Sequence, residues 1–308
     1  MLVPAYRCAD YIADTLRSLQ AQTMPDWEAI VVDDGSPDDL AGAMAPFSGD
    51  ARIRLLRTTN AGVSAARNRA LADARAPLIA LLDGDDRYTP DYLAEMTRAI
   101  AVEPDVGFVT CDATFFGNAR LEGVRFSAVS PQVPPVTLDR VLGRQFNVFT
   151  ACLLLATALQ DVGGWSVDLR SAEDLDLWIR LLERGWRCSL VPHTLHHYRR
   201  RPDSLSSARL PLLHAAARVY DNAIERLVDR PERRTAQTMR ATIEAEIAFE
   251  RGEALVLAGD VRAGLRELRR ALPRTATPAW RVALIAMRIA PFAAPRFMRW
   301  RMEAALHG

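Results

Sequence analysis

The sequence predicts an α/β fold, in which a mostly parallel central sheet is flanked by helices and followed by an all-α C-terminal appendage. Up to about residue 115, short apolar runs alternate with helical patterns, which is typical of a parallel sheet covered by helices. Beyond about residue 209 the chain is rich in Ala and Arg and follows a helical period. We therefore expect one domain over residues 1–207 and a helical region over residues 208–308.

Each element of the first half has a local signal. Five apolar runs predict strands: one that ends at Val3, then 29–32, 52–56, 77–82 and 106–111. Asp10 is suited to cap the helix after the first strand, and Ser64 the helix after the third. Thr89-Pro90 predicts another helix start, because proline at the first helical position sacrifices no hydrogen bond.

The remaining elements are less regular. Residues 117–147 contain three prolines and little periodicity, and they predict a loop-rich insertion near the site. Downstream we expect a strand at 152–156, a helix at 173–184, extended segments at 188–191 and 195–198, and helices at 235–258, 261–272 and 278–306.

Charge is divided unevenly along the chain. All 39 basic side chains are arginines, and the formal net charge is +1. Residues 1–195 hold 18 arginines against 26 acidic residues, whereas residues 196–308 hold 21 against 12. This imbalance fits either a basic tail that meets an anionic partner or two halves that attract each other.

The composition also excludes several classes of protein. The four cysteines form no C-x-x-C pair, which argues against a zinc site or a disulfide framework and favours a reduced, cytoplasmic compartment. No apolar stretch approaches the roughly 18 residues that a membrane span requires, and no signal peptide is visible. We expect neither a membrane-spanning protein nor a nucleic-acid partner.

Two acidic clusters carry the first functional signal. Asp33-Asp34 and Asp83-Gly84-Asp85-Asp86 each follow a predicted strand, and ligands of open α/β sheets bind at the carboxyl ends of strands. A divalent cation would relieve the repulsion between these carboxylates, and a polyphosphate would supply its other ligands. No G-x-G-x-x-G follows a strand, and a Walker motif is impossible without lysine. The sequence therefore predicts an enzyme that handles a metal-chelated nucleotide.

Five segments, in this order, resemble the family 2 glycosyltransferases of the GT-A fold. They are Val3-Pro4-Ala5-Tyr6, the VVDDGS of 31–36, the NAGVSAARN of 60–68, the LDGDD of 82–86 and the EDLDLW of 173–178. The resemblance covers about residues 1–207. It implies a metal-dependent, inverting transfer of sugar from a nucleotide-sugar donor, with UDP the leading nucleotide. The implied acceptor is a hydroxyl of a glycan or a lipid-linked molecule in cell-surface polysaccharide synthesis.

Two other functions stay open at this point. One is a non-catalytic nucleotide-sugar-binding protein whose helical tail recruits partners. The other is a nucleotidyltransferase on a related α/β fold, which would release pyrophosphate rather than a nucleoside diphosphate.

The resemblance assigns donor contacts to particular residues. The implied donor-binding residues are Pro4, Ala5, Tyr6, Asp33, Asp34, Asn60, Gly62, Arg67, Asp83 and Gly84. Asp34 would accept a hydrogen bond from the base, and its alternative role is a cap or turn former. Arg67, in the first turn of a helix, would meet an anion, and its alternative is a solvated helix arginine. Gly84 would allow a tight turn that aims both neighbouring carboxylates the same way.

The resemblance also implies the metal ligands and the catalytic base. Asp85 would bind Mg²⁺ or Mn²⁺ directly, and Asp83 would reach the ribose or a metal-bound water. Asp174 would be the base, with Glu173 the alternative. A helix N-terminus lowers the pKa of a carboxyl and acidic neighbours raise it, so the direction for Asp174 stays open.

Two positions depart from the family pattern, and both are arginines. Arg7 stands where the family usually has Asn after the tyrosine, which weakens the details of the base pocket. Arg201 stands where some members have His, which puts a histidine–metal bond in doubt.

The basic tail suggests a membrane contact. The last 48 residues hold ten arginines against two acidic residues. A pattern with Trp280, Leu284 and Met287 facing away from Arg281 and Arg288 would suit peripheral docking at the inner face of the membrane. The alternative is a packed helical appendage whose arginines face water.

Overall fold

The computed structural model describes residues 1–102, 105–201, 208–275 and 278–307. The chain divides into two compact units, Met1–Ser207 and Ala208–Gly308. Among the helices within the described ranges, none has the length and apolar run needed to cross a bilayer.

A three-stranded parallel sheet opens the first unit. Its strands are β1 (Leu2–Ala5), β2 (Ala29–Asp34) and β3 (Ile53–Thr58), in the order β1-β2-β3. Helices α1 (Ala9–Gln20), α2 (Leu40–Met44) and α3 (Val63–Asp73) follow the strands in alternation. All six residues of β2 are buried, as expected for a strand covered on both faces.

A second sheet of five strands continues the first. Its strands are β4 (Leu78–Ala80), β5 (Arg87–Tyr88), β6 (Val106–Phe116), β7 (Cys152–Leu155) and β8 (Arg187–Arg199), in the order β4-β7-β6-β8-β5. Leu2 forms a parallel bridge with Leu81, which joins β1 to the chain just after β4. Strand β7 is antiparallel to both neighbours, whereas β6 and β8 are parallel. The α/β prediction is confirmed, although the alternation before residue 115 gave no sign of the antiparallel β7.

Helix α8 is held against the sheet by its apolar face. The helices that complete this unit are α4 (Tyr92–Ile100), α5 (Phe126–Val129), α6 (Leu138–Leu142), α7 (Ala156–Asp161) and α8 (Glu173–Glu183). Leu177 and Trp178 of α8 are buried, and the Trp178 ring stacks on Phe108 of β6 with 5.3 Å between centroids. This contact fixes the helix whose first residues are Glu173 and Asp174.

Two predicted helix caps are wrong. Asp10 lies inside α1, and the backbone N–H of Ala9 instead donates to Oδ2 of Asp38 at 2.8 Å. Ser64 lies inside α3, whose N-cap is Gly62. In both places, a carboxylate from another loop supplies an acceptor that local sequence could not reveal.

The second unit is helical throughout its described residues. Its helices are α9 (Arg209–Arg226), α10 (Arg233–Leu257), α11 (Val261–Thr275), α12 (Pro278–Ile289) and α13 (Ala294–His307). Helices α10 and α11 approach closely, since a Cβ added at Gly252 would lie 2.9 Å from the Gly264 carbonyl oxygen. The predicted helix at 278–306 is two helices, separated by a short 3₁₀ turn that begins at Pro291.

The prediction that Trp280, Leu284 and Met287 of α12 face a membrane is wrong. Leu284 and Met287 are buried in the core of the helical unit. Trp280 packs against Phe249, with ring centroids 5.4 Å apart. For these three side chains the packed-appendage alternative is therefore correct.

Candidate active site

Asp34 fixes the loop that leads into α3. Its Oδ1 accepts a hydrogen bond from the N–H of Ala61 at 2.9 Å, and its Oδ2 accepts one from Gly62 at 2.8 Å. Gly62 has φ +94°, which a residue with a side chain rarely adopts. Asp34 thus performs the turn-forming role, while the two oxygens of a carboxylate retain capacity for a further donor.

The other residues at this edge come from the loops after β1, β2 and β3. Asp33 accepts from the N–H of Ser36 at 2.8 Å, and Asn60 donates through Nδ2 to the Asp34 carbonyl at 2.9 Å. Pro4 is half-buried and Ala5 is buried, whereas Tyr6 is exposed. These side chains therefore border one edge of the sheet, with the Tyr6 ring open to solvent.

Arg7, which stands where the family usually has Asn, has a backbone conformation that suits asparagine. Its φ is +52°, in the left-handed region where asparagine is favoured over most residues. Its N–H donates to Ser36 Oγ at 2.7 Å, which links the loop after β1 to the loop after β2. The arginine keeps the conformation that an asparagine would adopt more easily.

Gly84 is required by close packing rather than by an unusual turn. A Cβ at this position would lie 2.9 Å from Cys8 Sγ and 3.1 Å from the Pro4 carbonyl oxygen, and its φ is not in the left-handed region. Its N–H donates to the same Pro4 oxygen at 3.2 Å. The predicted tight turn is present, since the N–H of Asp86 donates to the Asp83 carbonyl at 3.0 Å, and glycine is needed in it for the close approach of this loop to β1.

The two carboxylates beside Gly84 have different arginine partners. Asp83 Oδ1 accepts from Arg67 Nη2 at 2.9 Å, and Asp85 Oδ2 accepts from Arg201 Nη1 at 3.1 Å. Burial raises the pKa of Asp85 to about 7, with further contributions from Asp86 and Asp83 and an opposing one from Arg201. The raised pKa therefore reflects burial first and the neighbouring carboxylates second.

Asp86 is a structural residue of the same loop. It is buried, and its carboxylate lies 2.9 Å from Nε2 of His196 and accepts from the N–H of Arg199 at 2.7 Å. Burial lowers the pKa of His196 to about 3, so the ring is neutral at ordinary pH. The contact ties the loop after β4 to the end of β8, and nothing in the sequence spacing indicated it.

Arg67 lies at the centre of the site. Its side chain is 3% exposed, and Nη1 donates to Glu173 Oε1 at 3.0 Å and to Asp174 Oδ1 at 2.7 Å. Nη2 donates to Asp83, as described above. The solvated-arginine alternative is wrong, and the anions that Arg67 contacts here are three carboxylates of the protein. One guanidinium therefore joins α3, the loop after β4 and the start of α8.

Burial decides the direction of the Asp174 pKa, which the sequence left open. Desolvation raises it to about 7, Arg67 and the Trp165 N–H oppose that rise, and Glu173 and Asp83 add to it. The indole Nε1 of Trp165 donates to Asp174 Oδ1 at 3.2 Å. A carboxyl with a pKa near 7 can accept a proton at neutral pH, as a general base must.

Trp165 and Asn68 are site residues whose roles the sequence did not indicate. Asn68 Nδ2 donates to the Trp165 carbonyl at 2.7 Å, and the Trp165 N–H donates to Asn68 Oδ1 at 2.9 Å. Gly164 has φ +72°, and a Cβ there would lie 2.5 Å from Asn68 Oδ1. The only hint in the sequence was the Gly163-Gly164-Trp165 turn. Its second glycine leaves room for the Asn68 side chain to bond the Trp165 backbone.

The carboxylates beside Gly84 fit a divalent cation whose remaining ligands come from a substrate. Within the described ranges, no three His, Cys, Asp or Glu side chains are grouped to hold a metal ion. Mg²⁺ and ions like it are commonly held by one or two carboxylates together with substrate phosphates. Asp83 and Asp85 are a pair of this kind, and a cation beside them would meet the negative charge of Asp86 and Asp83, which adds to the effect of burial on the Asp85 pKa.

The profile described as glycosyl transferase family 2 matches residues 1–156, slightly more than half of the chain. The chain belongs to glycosyl transferase family 2. The match includes β1, β2, α3 and the Asp83–Asp86 loop, and it ends before Trp165 and α8. The resemblance drawn from the five segments is thereby confirmed, and the protein is a glycosyltransferase.

Two relatives of this glycosyltransferase align over more residues than the 156 that the family profile matches. TuaG of Bacillus subtilis, named for a glycosyltransferase role in teichuronic acid biosynthesis, is 28% identical over 232 residues, which are 74% of this chain and 88% of TuaG. WfgD of Escherichia coli, named as a UDP-Glc:α-D-GlcNAc-diphosphoundecaprenol β-1,3-glucosyltransferase, is 29% identical over 184 residues. These are 59% of this chain and 69% of WfgD.

Solved glycosyltransferase structures share the fold. Residues 1–349 of Staphylococcus aureus TarS, in complex with UDP-GlcNAc, align with a TM-score of 0.62 at 19% identity, covering 98% of this chain and 90% of that one. The mannosyltransferase PcManGT of Pyrobaculum calidifontis, in complex with GDP-Man and Mn²⁺, aligns with a TM-score of 0.62 at 22% identity. It covers 96% of this chain and 80% of that one. The predicted GT-A-type fold is confirmed.

Proposed function

We propose that this glycosyltransferase is metal-dependent and inverting, and that it moves a sugar from a UDP-linked donor to a hydroxyl of its acceptor. The Arg67 cluster, in which Asp83, Glu173 and Asp174 contact one guanidinium, carries the proposal. Asp83, from the predicted donor site, and Asp174, the predicted base, contact one guanidinium although they are far apart in sequence. A single-displacement transfer needs donor and base close together, and the shared guanidinium brings Asp83 and Asp174 into such proximity.

The donor site combines the loops after β1, β2 and β3. In this proposal Pro4, Ala5 and Tyr6 line the base pocket, and the exposed Tyr6 ring offers a face to the base. Asp34 accepts the base N–H while its position stays fixed by the loop before α3. A uracil N–H suits that acceptor, which is why UDP is preferred. The donor contacts are completed by Asp33, Asn60, Gly62, Arg67, Asp83 and Gly84.

Asp85 would hold Mg²⁺ or Mn²⁺, with Asp83 reaching the ribose or a metal-bound water. When bound, the cation supplies positive charge against the diphosphate that leaves. The chain's own part is to keep Asp85 in place, which Gly84 supports by letting the loop pack against Pro4, while Arg201 pairs with the carboxylate until a cation competes for it. The structure of PcManGT, which shares the fold, is a complex with GDP-Man and Mn²⁺ and supports the assignment.

Asp174 is the proposed base. Its carboxylate takes the proton from the acceptor hydroxyl while that oxygen attacks the anomeric carbon from the face opposite the leaving group. The bond from the anomeric carbon to the diphosphate oxygen breaks, and the nucleoside diphosphate departs with the electron pair. One displacement inverts the anomeric configuration. Glu173 is the alternative base, because it contacts the same Arg67 nitrogen at 3.0 Å.

The acceptor is proposed to be a glycan or lipid-linked molecule of cell-surface polysaccharide synthesis. The names of TuaG and WfgD support this class, the second through a diphosphoundecaprenol acceptor. We place the enzyme in the cytoplasm, in peripheral contact with the inner face of the membrane through its basic C-terminal region. In this assignment the first unit binds the nucleotide sugar and catalyses transfer, and the helical unit makes the membrane contact.

The test compares two amide variants at the base position. Asp174→Asn should lower kcat by about 10²- to 10⁴-fold, the usual contribution of a general base, while UDP binding changes little. Glu173→Gln, the matched control, should retain far more activity. Turnover is measured as release of UDP, and UDP binding by calorimetry. Unchanged turnover in Asp174→Asn would refute the assignment, and release of pyrophosphate instead of UDP would indicate a nucleotidyltransferase.

A further inference from the structure

Helix α12 has two apolar faces, of which only one is buried. Leu284 and Met287 are 3% and 4% exposed and pack into the helical unit. Val282, Ile285 and Ile289 are 59% to 79% exposed. Their spacing of three and four residues puts them side by side on a second face. Phe292 follows in the 3₁₀ turn and is 85% exposed.

Arginines run beside this second face. Arg281 and Arg288 are exposed, two turns apart on α12, and each lies three or four positions from Ile285. Residues 278–301 contain five arginines and no acidic residue. Helix α13 repeats the combination, since Trp300 and Arg296, one turn apart, are both exposed.

We propose that the α12 docking face, defined as Arg281, Val282, Ile285, Arg288 and Ile289, binds an anionic lipid surface. A helix that lies in a bilayer interface buries aliphatic side chains at the acyl boundary and offers arginines to anionic headgroups. This is a different face from the one that sequence periodicity predicted, because packing inside the unit uses Leu284 and Met287. The inference deepens the membrane contact of the proposed function and rests on it.

The charge pattern favours lipid over a second copy of the chain. In a symmetric dimer the same patch faces itself, so Arg281 and Arg288 would meet the arginines of the other copy without a carboxylate from residues 278–301 to offset them. An anionic bilayer complements the same arginines. The lipid headgroup is therefore the occupant that this surface fits.

Vesicle co-sedimentation of the full-length protein tests the proposal without donor or acceptor. Vesicles of 70% phosphatidylcholine and 30% phosphatidylglycerol should bind the protein, and vesicles of phosphatidylcholine alone should bind it much less. Arg281→Gln combined with Arg288→Gln should weaken partitioning about 25-fold, at about fivefold per arginine near the surface. Ile285→Ser combined with Ile289→Ser should weaken it at least as much, because both side chains lose their burial in the bilayer.

The control variant removes two arginines that lie outside the α12 docking face. Arg218 and Arg234 are exposed on α9 and α10, and Arg218→Gln with Arg234→Gln should change partitioning less than twofold. Circular dichroism checks that all variants fold. Equal binding of the wild type to both vesicle types, or equal loss in the α12 and control variants, would overturn the proposal. So would a wild-type dimer that the Ile285/Ile289 variant converts to a monomer. Because no catalysis is involved, a failure here is separate from a failure of sugar transfer.

Discussion

Arg67 shows how one buried side chain can hold three distant segments together. Its guanidinium is nearly inaccessible, and Asp83, Glu173 and Asp174 depend on it for compensating charge. Removing one partner of a buried ionic group is far more costly than its net contribution suggests, because the remaining charges stay buried and unpaired.

Replacing Arg67 by methionine should therefore destabilise the protein by about 3–5 kcal/mol, as expected for a broken buried ion pair. Arg69→Met is the matched control. Arg69 lies two residues later on α3, is 53% exposed and pairs with Asp73, so its loss should cost about 1 kcal/mol or less. Urea denaturation at pH 7.5 measures both. Similar midpoints for the two variants would contradict a structural role for Arg67.

The raised pKa of Asp174 predicts the acid limb of the rate profile. A base must be ionised to act, so kcat should fall as the pH drops through about 7, the pKa to which burial raises this carboxyl. The Trp165 N–H favours the ionised form. Trp165→Phe removes that donor and should move the acid limb to higher pH. Rates at saturating donor from pH 5 to 9 test this, and a limb near pH 4 would be inconsistent with it.

At the scale of single residues, the sequence predicted candidate side chains but not their environment. The position of the acidic clusters after two strands predicts those candidates, and the family resemblance implies the Glu173-Asp174 pair. The direction of the Asp174 pKa was not, because burial is the largest cause and only the folded chain determines it. The Arg67 contacts, which span more than 100 positions, were equally beyond a local pattern.

Among the elements, strands were predicted better than helix starts. Buried strands appear in sequence as apolar runs, so β2 and β4 lie where the runs predicted them. The N–H groups at a helix start can be satisfied by an acceptor that is distant in sequence. Here Asp38 accepts from Ala9 at the start of α1, and Asp34 accepts from Gly62 just before α3. Strand direction also escaped the sequence, since β7 pairs in antiparallel fashion with two strands that precede it.

Because the loop after β4 packs closely on β1, adding one methyl group at Gly84 should lower the stability of the protein. Gly84→Ala places a Cβ 2.9 Å from Cys8 Sγ and should destabilise the protein by about 1–3 kcal/mol, as overpacking usually does. Adding Cys8→Ala should recover part of that loss. Recovery would be incomplete, because the Pro4 carbonyl oxygen also lies 3.1 Å away. Chemical denaturation of the two single variants and the double variant measures the coupling, and strict additivity would argue against this contact.

Arg201, two residues after the end of β8, is expected to compete with a metal ion for Asp85. Arg201 pairs with Oδ2 of Asp85, so a cation at this carboxylate either replaces the guanidinium there or binds beside its positive charge. Arg201→Gln should therefore bind Mn²⁺ alone about threefold to tenfold more tightly, which corresponds to the loss of a modest ion pair. Arg200→Gln is the neighbouring control and should not change affinity. Electron paramagnetic resonance of free Mn²⁺ gives the dissociation constants, and weaker binding to Arg201→Gln would show that Arg201 assists the metal.

For the whole molecule, the uneven charge predicted from sequence matches a division into two kinds of surface. The first unit concentrates carboxylates at the ends of β2 and β4, and the helical unit carries arginines beside exposed aliphatic side chains on α12. The order of the five segments was enough to identify the family. It could not identify the exposed face of α12, because periodicity alone does not tell which of two apolar faces the neighbouring helices cover.

The donor preference is a property of the assembled site and can be measured on the intact protein. A ligand that binds only the folded state adds about 2.7 kcal/mol at a concentration 100 times its dissociation constant, so the correct donor should raise Tm by several degrees. We expect UDP-sugars with Mn²⁺ to give the largest shift, GDP-sugars a smaller one, and either without metal little. Asp85→Asn should abolish the metal-dependent part while leaving the protein folded. If a GDP-sugar produced the largest shift, the assignment of Asp34 to a uracil N–H would be wrong, although the family and the fold would stand.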